Sequence, residues 1–370
     1  MVPGSPIVAA PPPAAATAPQ IAAPHVTSPH VTSPLVPAML REYGAMTRAT
    51  LDRYLAAGEP RRYLYDLAAD YPARGGKMMR PSLCIAAARA FGASAADAVG
   101  TAAAIEMLHN ALLVHDDIED GSEARRGRPT LHAIHGVALA LNAGDALALM
   151  SLRPLVDNRD RLGDRTALRI LEEAGRMAVE CAEGQALELG WRDANVTALG
   201  PANYLEMVLK KTCWLATIFP LRAGALIATR APISHDAFVR FGFLLGATFQ
   251  IQDDLLNLVA DERYGKERDG DLWEGKRTLM LIRLLGQAPP ADRERLTAIL
   301  RVPREARGPG DVAWMRAQID RHGCIGYARR YAHGLAGAAL HEFGRAFGPL
   351  PDSRDKRFIR ELVTWVVERT

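Results

Sequence analysis

The sequence predicts an all-α fold, a single large bundle of long antiparallel helices around a central cavity. From about residue 37 onward, apolar residues recur at three- and four-residue spacing over segments of roughly 10 to 30 residues, which is the period of an amphipathic helix. The strict alternation typical of β-strands is hard to find. Ala, Leu and Arg are abundant while aromatic residues make up 6% of the chain, a composition that favours helix over sheet.

The clearest helical segments, in chain order, are 82–92, 98–118, 137–151, 165–190, 202–230, 234–259 and 354–369. Stretches rich in Gly, Pro and Asp separate them at 71–76, 121–129, 157–164, 261–275, 287–292 and 303–311. Two segments, 137–151 and 237–251, are apolar nearly all round, so we expect them to be buried in the centre of the bundle.

The first 37 residues differ from the rest of the chain. They hold 10 of the 24 prolines, contain no charged residue before Arg41, and repeat His-Val-Thr-Ser-Pro at 25–29 and 30–34. We therefore expect a disordered Pro/Ala-rich tail at 1–37, followed by one helical domain at 38–370. A secretory signal would need a basic segment ahead of an apolar core, and neither is present. An inert tail is the default interpretation, with docking or targeting as the alternative.

Composition excludes several classes of function. The 45 Lys and Arg residues nearly balance the 42 Asp and Glu residues, a formal net charge of +3 that does not predict a nucleic-acid partner. The four cysteines lie far apart without a CxxC pair, so we expect neither a disulfide framework nor a zinc site, and a cytoplasmic location fits. Without an apolar run of about 18 residues, we expect no transmembrane segment.

Two acidic patches carry the strongest chemical signal. Asp116 and Asp120 are four residues apart at the end of an apolar helix, with Asp117 and Glu119 between them. Such a cluster is costly to desolvate unless cations bridge it, and hard carboxylate oxygens suit Mg²⁺. An acidic surface helix end is the simpler explanation for one patch alone. A second apolar helix, however, ends in Asp253-Asp254-Leu255-Leu256-Asn257. The pair predicts two walls of one cavity that share metals around a polyphosphate.

Basic residues lie where a diphosphate would need them. Arg125 and Arg126 follow the first acidic patch, and Lys77 and Arg80 follow a glycine pair. Glycine lets the backbone approach an anion closely, and arginine offers forked donors to phosphate oxygens. Each signal is weak by itself, because loop lysines and arginines are usually solvated, but the combination is specific.

The ordered set of motifs resembles the trans-isoprenyl diphosphate synthases. The motifs are Gly-Gly-Lys…Arg-Pro (75–81), Asp-Asp-x-x-Asp (116–120), Arg-Arg-Gly (125–127), Gly-Gln (184–185), Lys-Thr (211–212), Phe-Gln-x-x-Asp-Asp (249–254) and Glu-Gly-Lys-x-Thr (274–278). Details around them, including Gly190-Trp191-Arg192-Asp193, most resemble the geranylgeranyl diphosphate synthases. The resemblance implies the isoprenoid synthase fold and a polyprenyl synthase catalytic domain at 38–370.

The resemblance also implies a reaction. Isopentenyl diphosphate would add head-to-tail to an allylic diphosphate (dimethylallyl, geranyl or farnesyl), with about three Mg²⁺ ions drawing off pyrophosphate. The positions that match isopentenyl diphosphate ligands are Lys77, Arg80, His109 and Arg126. Those that match metal ligands are Asp116, Asp117, Asp120, Asp253 and Asp254. Those on the allylic side are Arg125, Lys211, Thr212, Gln250, Asn257, Lys266 and Lys276. The residues expected to act in catalysis are Asp116, Asp120, Arg125, Lys211, Thr212, Gln250 and Asp253.

Several of these residues have simpler interpretations, and some positions depart from the family pattern. His109 alone would be a core histidine, and Thr212 and Gln250 alone would be buried polar groups bonded to helix carbonyls. Asn257 replaces the last Asp of the second patch, and Glu188 stands where Asp is usual. None of these departures removes a residue that the chemistry requires.

Product length in this family depends on the depth of the cavity beside the first acidic helix. Ala111, Leu108 and Ala104 fall on one side of that helix, and Ala111 and its neighbour Leu112 are not aromatic. We therefore expect growth past C15 to geranylgeranyl diphosphate (C20), with C25 or longer as the runner-up and farnesyl diphosphate as a further alternative. The floor could come from neighbouring helices around Leu147–Met150.

Two other classes remain as alternatives. A terpene cyclase on the same fold would not need the isopentenyl residues, and a non-catalytic synthase subunit would be expected to lack the acidic patches. The resemblance implies a homodimer in the cytoplasm.

Overall fold

The computed structural model describes residues 34–56, 58–231, 236–259 and 269–369. Its helices are α1 (Leu35–Leu55), α2 (Asp66–Ala73), α3 (Met79–Ala90), α4 (Ala95–Asp120), α5 (Leu131–His135), α6 (Val137–Met150), α7 (Leu152–Asp157), α8 (Arg159–Leu162), α9 (Asp164–Asp193), α10 (Pro201–Val208), α11 (Phe219–Thr229), α12 (Asp236–Val259), α13 (Gly270–Glu274), α14 (Leu279–Gln287), α15 (Pro290–Arg301), α16 (Pro309–Arg321), α17 (Cys324–Phe347) and α18 (Arg354–Glu368). Two π-helices (Arg61–Tyr65, Leu209–Ile218) and a 3₁₀ turn (Arg304–Ala306) complete them. Strands β1 (Ala124–Arg125) and β2 (Arg128–Pro129) form a small antiparallel hairpin.

The all-α prediction is confirmed. Helix α12 packs against α17 and against the second π-helix, and that π-helix also packs against α9. Helix α3 packs against α4 and α11, and α4 packs against α6. The main apolar core runs through these contacts, except for the contact between α4 and α6, which two smaller apolar clusters fill. The bundle therefore places α4, α9, α12 and the second π-helix around a common interior.

The long helix α4 has clear signals at both ends. The Ser94 hydroxyl accepts a hydrogen bond from the Asp97 backbone N–H, and the Asp97 carboxylate accepts one from Ser94 N–H, which is a capping box. At the other end Gly121 adopts a left-handed conformation (φ 61°), which ends the helix directly after Asp120. The first acidic patch is thus fixed in the last turn of a well-capped helix.

Helix α1 begins before the predicted domain boundary at residue 38. It starts at Leu35, and Val36 is fully buried. Tyr43, in the same helix, donates a hydrogen bond to Asp355 of α18, and the same carboxylate accepts a bond of 3.1 Å from Arg89 of α3. Residues 1–33 of the predicted tail lie outside the described residues.

One prediction about burial is wrong. Helix α6 is not buried all round, because Val137, Leu141 and Leu149 are 53%, 45% and 68% exposed. Segment 237–251, in contrast, lies in α12 and is largely buried, as expected. The four cysteines are free and buried.

Two helical stretches, 137–162 and 201–229, are long and apolar enough to cross a membrane by length and composition. In the second stretch 89% of the apolar window is buried inside the protein, which is typical of a core helix, and in the first 39% is buried. This is weak evidence for a membrane span.

Candidate active site

A cavity of about 720 Å³ lies between α4, α9, α12 and the second π-helix. It brings together residues that are far apart in the chain, and most of the predicted site residues line it. These are Lys77, Arg80, His109, Leu112, Asp116, Arg125, Arg126, Lys211, Thr212, Gln250, Asp253, Asp254, Asn257 and Lys276. Lys266 lies outside the described residues.

Glycines explain how the second π-helix comes so close to its neighbours. A Cβ atom on Gly184 of α9 would lie 2.1 Å from the backbone nitrogen of Lys211, and one on Gly246 of α12 would lie 2.8 Å from Cys213 Sγ. Only glycine fits at such approaches. The glycine of the Gly-Gln motif is thus explained by this close packing. In addition, π-helical turns occur frequently at functional sites. The close packing fixes Lys211 and Thr212 on the cavity wall.

The first acidic patch is bound by cations from three other segments. Lys211 Nζ lies 3.2 Å from Asp116 Oδ1 and 2.7 Å from Glu188 Oε1. Asp120 accepts hydrogen bonds of 2.7 Å from both Arg192 Nη1 and Lys276 Nζ. These contacts compensate the negative charge of the patch.

The pKa values of the patch reflect this compensation. Burial alone would raise the pKa of Asp116, but Lys211, Lys276 and Arg125 hold it well below its usual range. Burial alone would lower the pKa of Lys211, but Asp116 and Glu188 raise it instead. Asp116 and Lys211 are therefore held in their charged forms.

Asp117 has a different environment from the one predicted. It is fully buried and does not line the cavity. Arg125 Nε donates to both of its carboxylate oxygens at 3.0 and 3.1 Å, and Tyr71 Oη donates at 2.5 Å. Its oxygens are engaged by these donors, so the geometry favours a structural role for Asp117 over the predicted metal role. Arg125 reaches Asp116 Oδ2 at 3.5 Å from the same position.

In the second patch, Asp254 is bonded by neutral donors. Asp254 is buried and accepts hydrogen bonds of 2.7 Å from Tyr204 Oη and from Gln250 Nε2. Burial raises the pKa of Asp254 to about 6, although these two hydrogen bonds oppose the shift. Asp253 lies beside the penultimate residue of the chain, with Arg369 Nη2 3.4 Å from its Oδ1.

A hydrogen-bonded chain leads from this patch to the π-helix. Thr212 Oγ1 donates to Gln250 Oε1 at 2.8 Å, and Gln250 in turn donates to Asp254. Because the Thr212 proton is directed to Gln250, the lone pairs of the hydroxyl remain available as an oxygen dipole.

Asn257 makes backbone contacts as well as lining the cavity. Its side-chain Oδ1 accepts from the Asp271 backbone N–H at 3.1 Å, and its carbonyl accepts from Asp269 N–H at 3.1 Å. These bonds anchor the start of α13. The geometry therefore gives Asn257 a positioning role in addition to the predicted contact with the allylic substrate.

The four predicted isopentenyl ligands line one part of the cavity around a buried carboxylate. Glu106 is 3% exposed and accepts from Asn110 Nδ2 at 3.0 Å. Burial raises the pKa of Glu106, while Arg80 and Arg126 oppose that shift. Burial and the same two arginines lower the pKa of His109 well below its usual value. An excess of positive charge in a buried region favours an anionic ligand.

Sequence reasoning missed Glu106 and Tyr204, and it noted Glu188 and Arg192 only as parts of motifs, without a contact in this site. Each makes a contact that only the tertiary structure reveals. A signal existed for Glu106, which is a single acid in the apolar stretch 102–108. The rarity of lysine is another signal for site residues, since only six of the 45 basic residues are lysines. Three of those six line the cavity.

The residues predicted to set product length divide into two groups. Leu112 lines the cavity. Ala111 is fully buried and packs with α1, α2 and α6, in a cluster that includes Leu51, Leu55 and Leu147. Ala104 and Leu108 belong to the main core and do not appear on the cavity wall. Other helices also contribute to the apolar part of the wall, with Ala178, Cys181 and Ala182 from α9, Met207 from α10, Leu215 from the π-helix and Phe249 from α12.

The donor set of the two patches fits Mg²⁺, which prefers carboxylate oxygens. Among the described residues, no three His, Cys, Asp or Glu side chains form a group that could hold a metal ion. The aspartates of the first patch are not grouped around a metal position, because Lys211 and Lys276 bond to Asp116 and Asp120. These two aspartates and Asp253 would supply the oxygen ligands.

Comparison with known proteins agrees with the motifs. The profile of the polyprenyl synthetase family matches residues 61–318. A short chain isoprenyl diphosphate synthase of Methanothermobacter thermautotrophicus is 35% identical over 297 residues, 80% of this chain and 87% of that protein. A geranylfarnesyl diphosphate synthase of Aeropyrum pernix is 30% identical over 299 residues, 80% of this chain and 91% of that protein.

Solved structures give the same result. The geranylgeranyl pyrophosphate synthetase of Pyrococcus horikoshii has a TM-score of 0.79 and 31% identity, covering 90% of this chain and 98% of its own. A polyprenyl synthase of Caulobacter crescentus, complexed with calcium and isoprenyl diphosphate, has a TM-score of 0.79 and 28% identity, covering 92% of this chain and 99% of its own. The chain thus belongs to the polyprenyl synthetase family of trans-isoprenyl diphosphate synthases and is a trans-prenyltransferase.

Proposed function

We propose that the protein is a Mg²⁺-dependent geranylgeranyl diphosphate synthase. It would condense isopentenyl diphosphate with dimethylallyl, geranyl or farnesyl diphosphate. The observation that carries the proposal is the shared cavity, in which two acidic patches, two lysines and a separate basic cluster meet. A polyanionic leaving group and a second diphosphate both find complementary charge there.

The allylic diphosphate would bind beside the two acidic patches. Asp116, Asp120 and Asp253 would hold about three Mg²⁺ ions, which neutralise the charge of the departing pyrophosphate. Lys211 and Lys276, now bonded to Asp116 and Asp120, would turn to phosphate oxygens. Thr212 and Gln250 would direct oxygen dipoles at the allylic cation.

Isopentenyl diphosphate would bind at the basic cluster. Arg80, His109 and Arg126 line the cavity with Lys77, and Arg126 is held by a 2.8 Å hydrogen bond from its Nη1 to the Tyr71 carbonyl. A Cβ on Gly76 would lie 3.0 Å from Arg126 Nη2, so the glycine gives this guanidinium its space. The two diphosphates are thereby bound at separate ends of one cavity, with their hydrocarbon parts between them.

The wall composition supports a C20 product. The apolar side chains of α4 that line the cavity are Leu112 and Leu113, and no Phe, Tyr or Trp of that helix lines it, while Tyr204 of α10 and Phe249 of α12 do. A longer product is the second candidate, since a relative of similar identity is a geranylfarnesyl synthase.

The proposal is tested by incubating the purified protein with Mg²⁺, isopentenyl diphosphate and each allylic diphosphate in turn, then identifying the alcohols after dephosphorylation. A single C20 alcohol, abolished by Asp116→Ala, is the expected result. A C25 alcohol would show that the protein is a longer-chain prenyl diphosphate synthase. A cyclic hydrocarbon from one allylic substrate alone would indicate a cyclase, and no turnover with any primer would indicate a non-catalytic subunit.

We further propose a homodimer that works in the cytoplasm. Exposed apolar side chains of α6 and α7, including Leu141, Leu149, Leu152 and Val156, form a surface that a second copy would cover. Leu149→Lys should convert the dimer to a monomer in sedimentation, while Leu340→Lys on α17 should leave it dimeric. A wild-type monomer would contradict the proposal.

A further inference from the structure

Two buried arginines contact the turn that carries Lys276, and the role inferred for them rests on the proposed function of the site. Arg277 and Arg307 are 2% and 5% exposed. Their side-chain hydrogen bonds go to carbonyl or amide oxygens. A buried cation is costly without a carboxylate beside it. The adjacent positive charges add to this cost, since burial, Arg307 and Arg192 together lower the pKa of Arg277 to about 10.

Arg307 connects the ends of two helices. Its Nη1 donates to the carbonyls of Leu272, at 2.7 Å, and of Trp273, both in α13. Its Nη2 donates to Val302, at 2.8 Å, just beyond α15. Carbonyls at helix C-termini lack partners within the helix, so one guanidinium satisfies several of them at once. The last turn of α13 is thereby fixed two residues before Lys276.

Gly275 lets both arginines approach the turn. It has φ +71°, and a Cβ there would lie 3.1 Å from Arg307 Nη2 and 3.5 Å from Arg277 Nη1. The Gly275 carbonyl also accepts a 2.5 Å hydrogen bond from Arg277. The glycine of the Glu-Gly-Lys-x-Thr motif is therefore required both for the turn and for the contact with these side chains.

Arg277 links the turn to the end of α9, which also holds Asp120. Arg277 Nε donates to the Val196 carbonyl at 3.1 Å, just beyond that helix. The same end of α9 carries Arg192, which bonds Asp120 at 2.7 Å. Lys276 bonds the other oxygen of Asp120, also at 2.7 Å. Arg277, the end of α9, Asp120 and Lys276 are thus connected in a ring of contacts. Through this ring, Arg277 restrains the distance between Lys276 and Asp120.

We propose that Arg307 and Arg277 are positioning residues, which hold the turn at 274–278 so that the Lys276 ammonium reaches Asp120 and the allylic diphosphate. An apolar pair of similar volume would fill the same space at a lower desolvation cost, but it could not satisfy the carbonyls that fix the turn. Lysine would serve poorly at 307, because its single ammonium cannot span carbonyls on two sides.

The test compares Arg307→Met, Arg307→Lys and the control Arg222→Lys, which changes a buried arginine of α11 that is bonded to Glu173 of α9. We expect Arg307→Met to raise the KM for the allylic diphosphate roughly 10- to 100-fold. The KM for isopentenyl diphosphate should stay unchanged. Arg307→Lys should recover part of the loss. Arg222→Lys should leave both KM values unchanged.

A second measurement does not depend on turnover or metal. Hydrogen exchange of the unliganded protein should show faster exchange at residues 270–278 in both Arg307 variants, and unchanged exchange at α4. The proposal is overturned if both KM values rise together, or if exchange at 270–278 equals that of the wild type. If the wild type turns over no substrate, the proposed function fails, and the exchange result alone decides the positioning role.

Discussion

The two acidic patches are similar in sequence, but Asp116 of the first and Asp254 of the second lie in different electrostatic environments. At the end of α4, Asp116 and Asp120 are each bonded to cationic side chains from other segments. On α12, Asp254 is bonded instead to the neutral donors Tyr204 and Gln250. Correspondingly the pKa of Asp116 is held low by lysines and arginine despite burial, whereas burial raises that of Asp254 to about 6.

The difference shows that a repeated motif need not mean a repeated role. Ions that bind at the first patch must compete with Lys211 and Lys276, so ligand binding there is coupled to a rearrangement of lysines. The bonds to Asp254 come instead from the neutral donors Tyr204 and Gln250. We therefore expect substitutions at the first patch to have larger effects.

The largest effect should follow Asp116→Asn. The change removes one charge that faces both Lys211 and the metal ions, so kcat should fall on the order of 10²- to 10³-fold. Product formation under saturating substrates measures it. Asp160→Asn on the exposed surface of α8 is the control and should be unchanged. A loss of less than tenfold would mean that the first patch does not hold the metals.

Lys211→Met should destabilise the metal-free protein. It leaves the buried Glu188 and the partly buried Asp116 without their shared cation, at a cost of about 1–3 kcal/mol. The neighbouring Lys210→Met, which loses only contacts with Glu180 and Glu183 on the surface of α9, is the matched control. Thermal unfolding with and without Mg²⁺ measures both. Mg²⁺ should restore more stability to Lys211→Met than to the wild type, and equal gains would contradict the coupling.

Tyr204→Phe should have a moderate effect. Without the phenol, Asp254 loses one of its two neutral donors, and about 1 kcal/mol of stability should be lost. Activity should fall about tenfold, because Asp254 in turn orients Gln250 and Thr212. Tyr331→Phe, in a partly buried aromatic pair with Tyr327, is the control. Full activity in Tyr204→Phe would show that the hydrogen-bonded chain of Thr212, Gln250 and Asp254 does not contribute to catalysis.

Asn257→Asp should have the smallest effect. A carboxylate can still accept from the Asp271 N–H, so α13 should remain anchored. Activity should therefore stay within about threefold of the wild type, while the added charge should tighten Mg²⁺ binding in the presence of pyrophosphate. Calorimetric titration measures the affinity. A large loss of activity would show that the neutral side chain is essential.

The sequence predicted the elements that local signals define. Helical periodicity located α4, α9, α12 and α18 within a few residues, and the acidic motifs correctly indicated one shared cavity. The exposure of α6 could not be predicted, because an apolar helix can face either a core or a partner.

Contacts between distant segments were also beyond the sequence. Asp117 and Asp116 are adjacent in the chain, yet helix geometry turns one towards Arg125 and Tyr71 and the other towards the cavity. The family resemblance and the helical spacing together predict Ala111 on the cavity wall, but its face of α4 packs against α6. Which side of a buried helix meets a cavity depends on its neighbours, and those are set by the tertiary fold.

The most direct test of the central claim, that both patches form one metal and diphosphate site, is a double-mutant cycle on pyrophosphate binding in Mg²⁺. The cycle compares the wild type, Asp116→Asn, Asp253→Asn and the double variant by calorimetry. If the patches act together, the double variant should bind little more weakly than either single variant, because each change already removes the shared ions. Losses in binding free energy that simply add would contradict the account and place the two patches in separate sites.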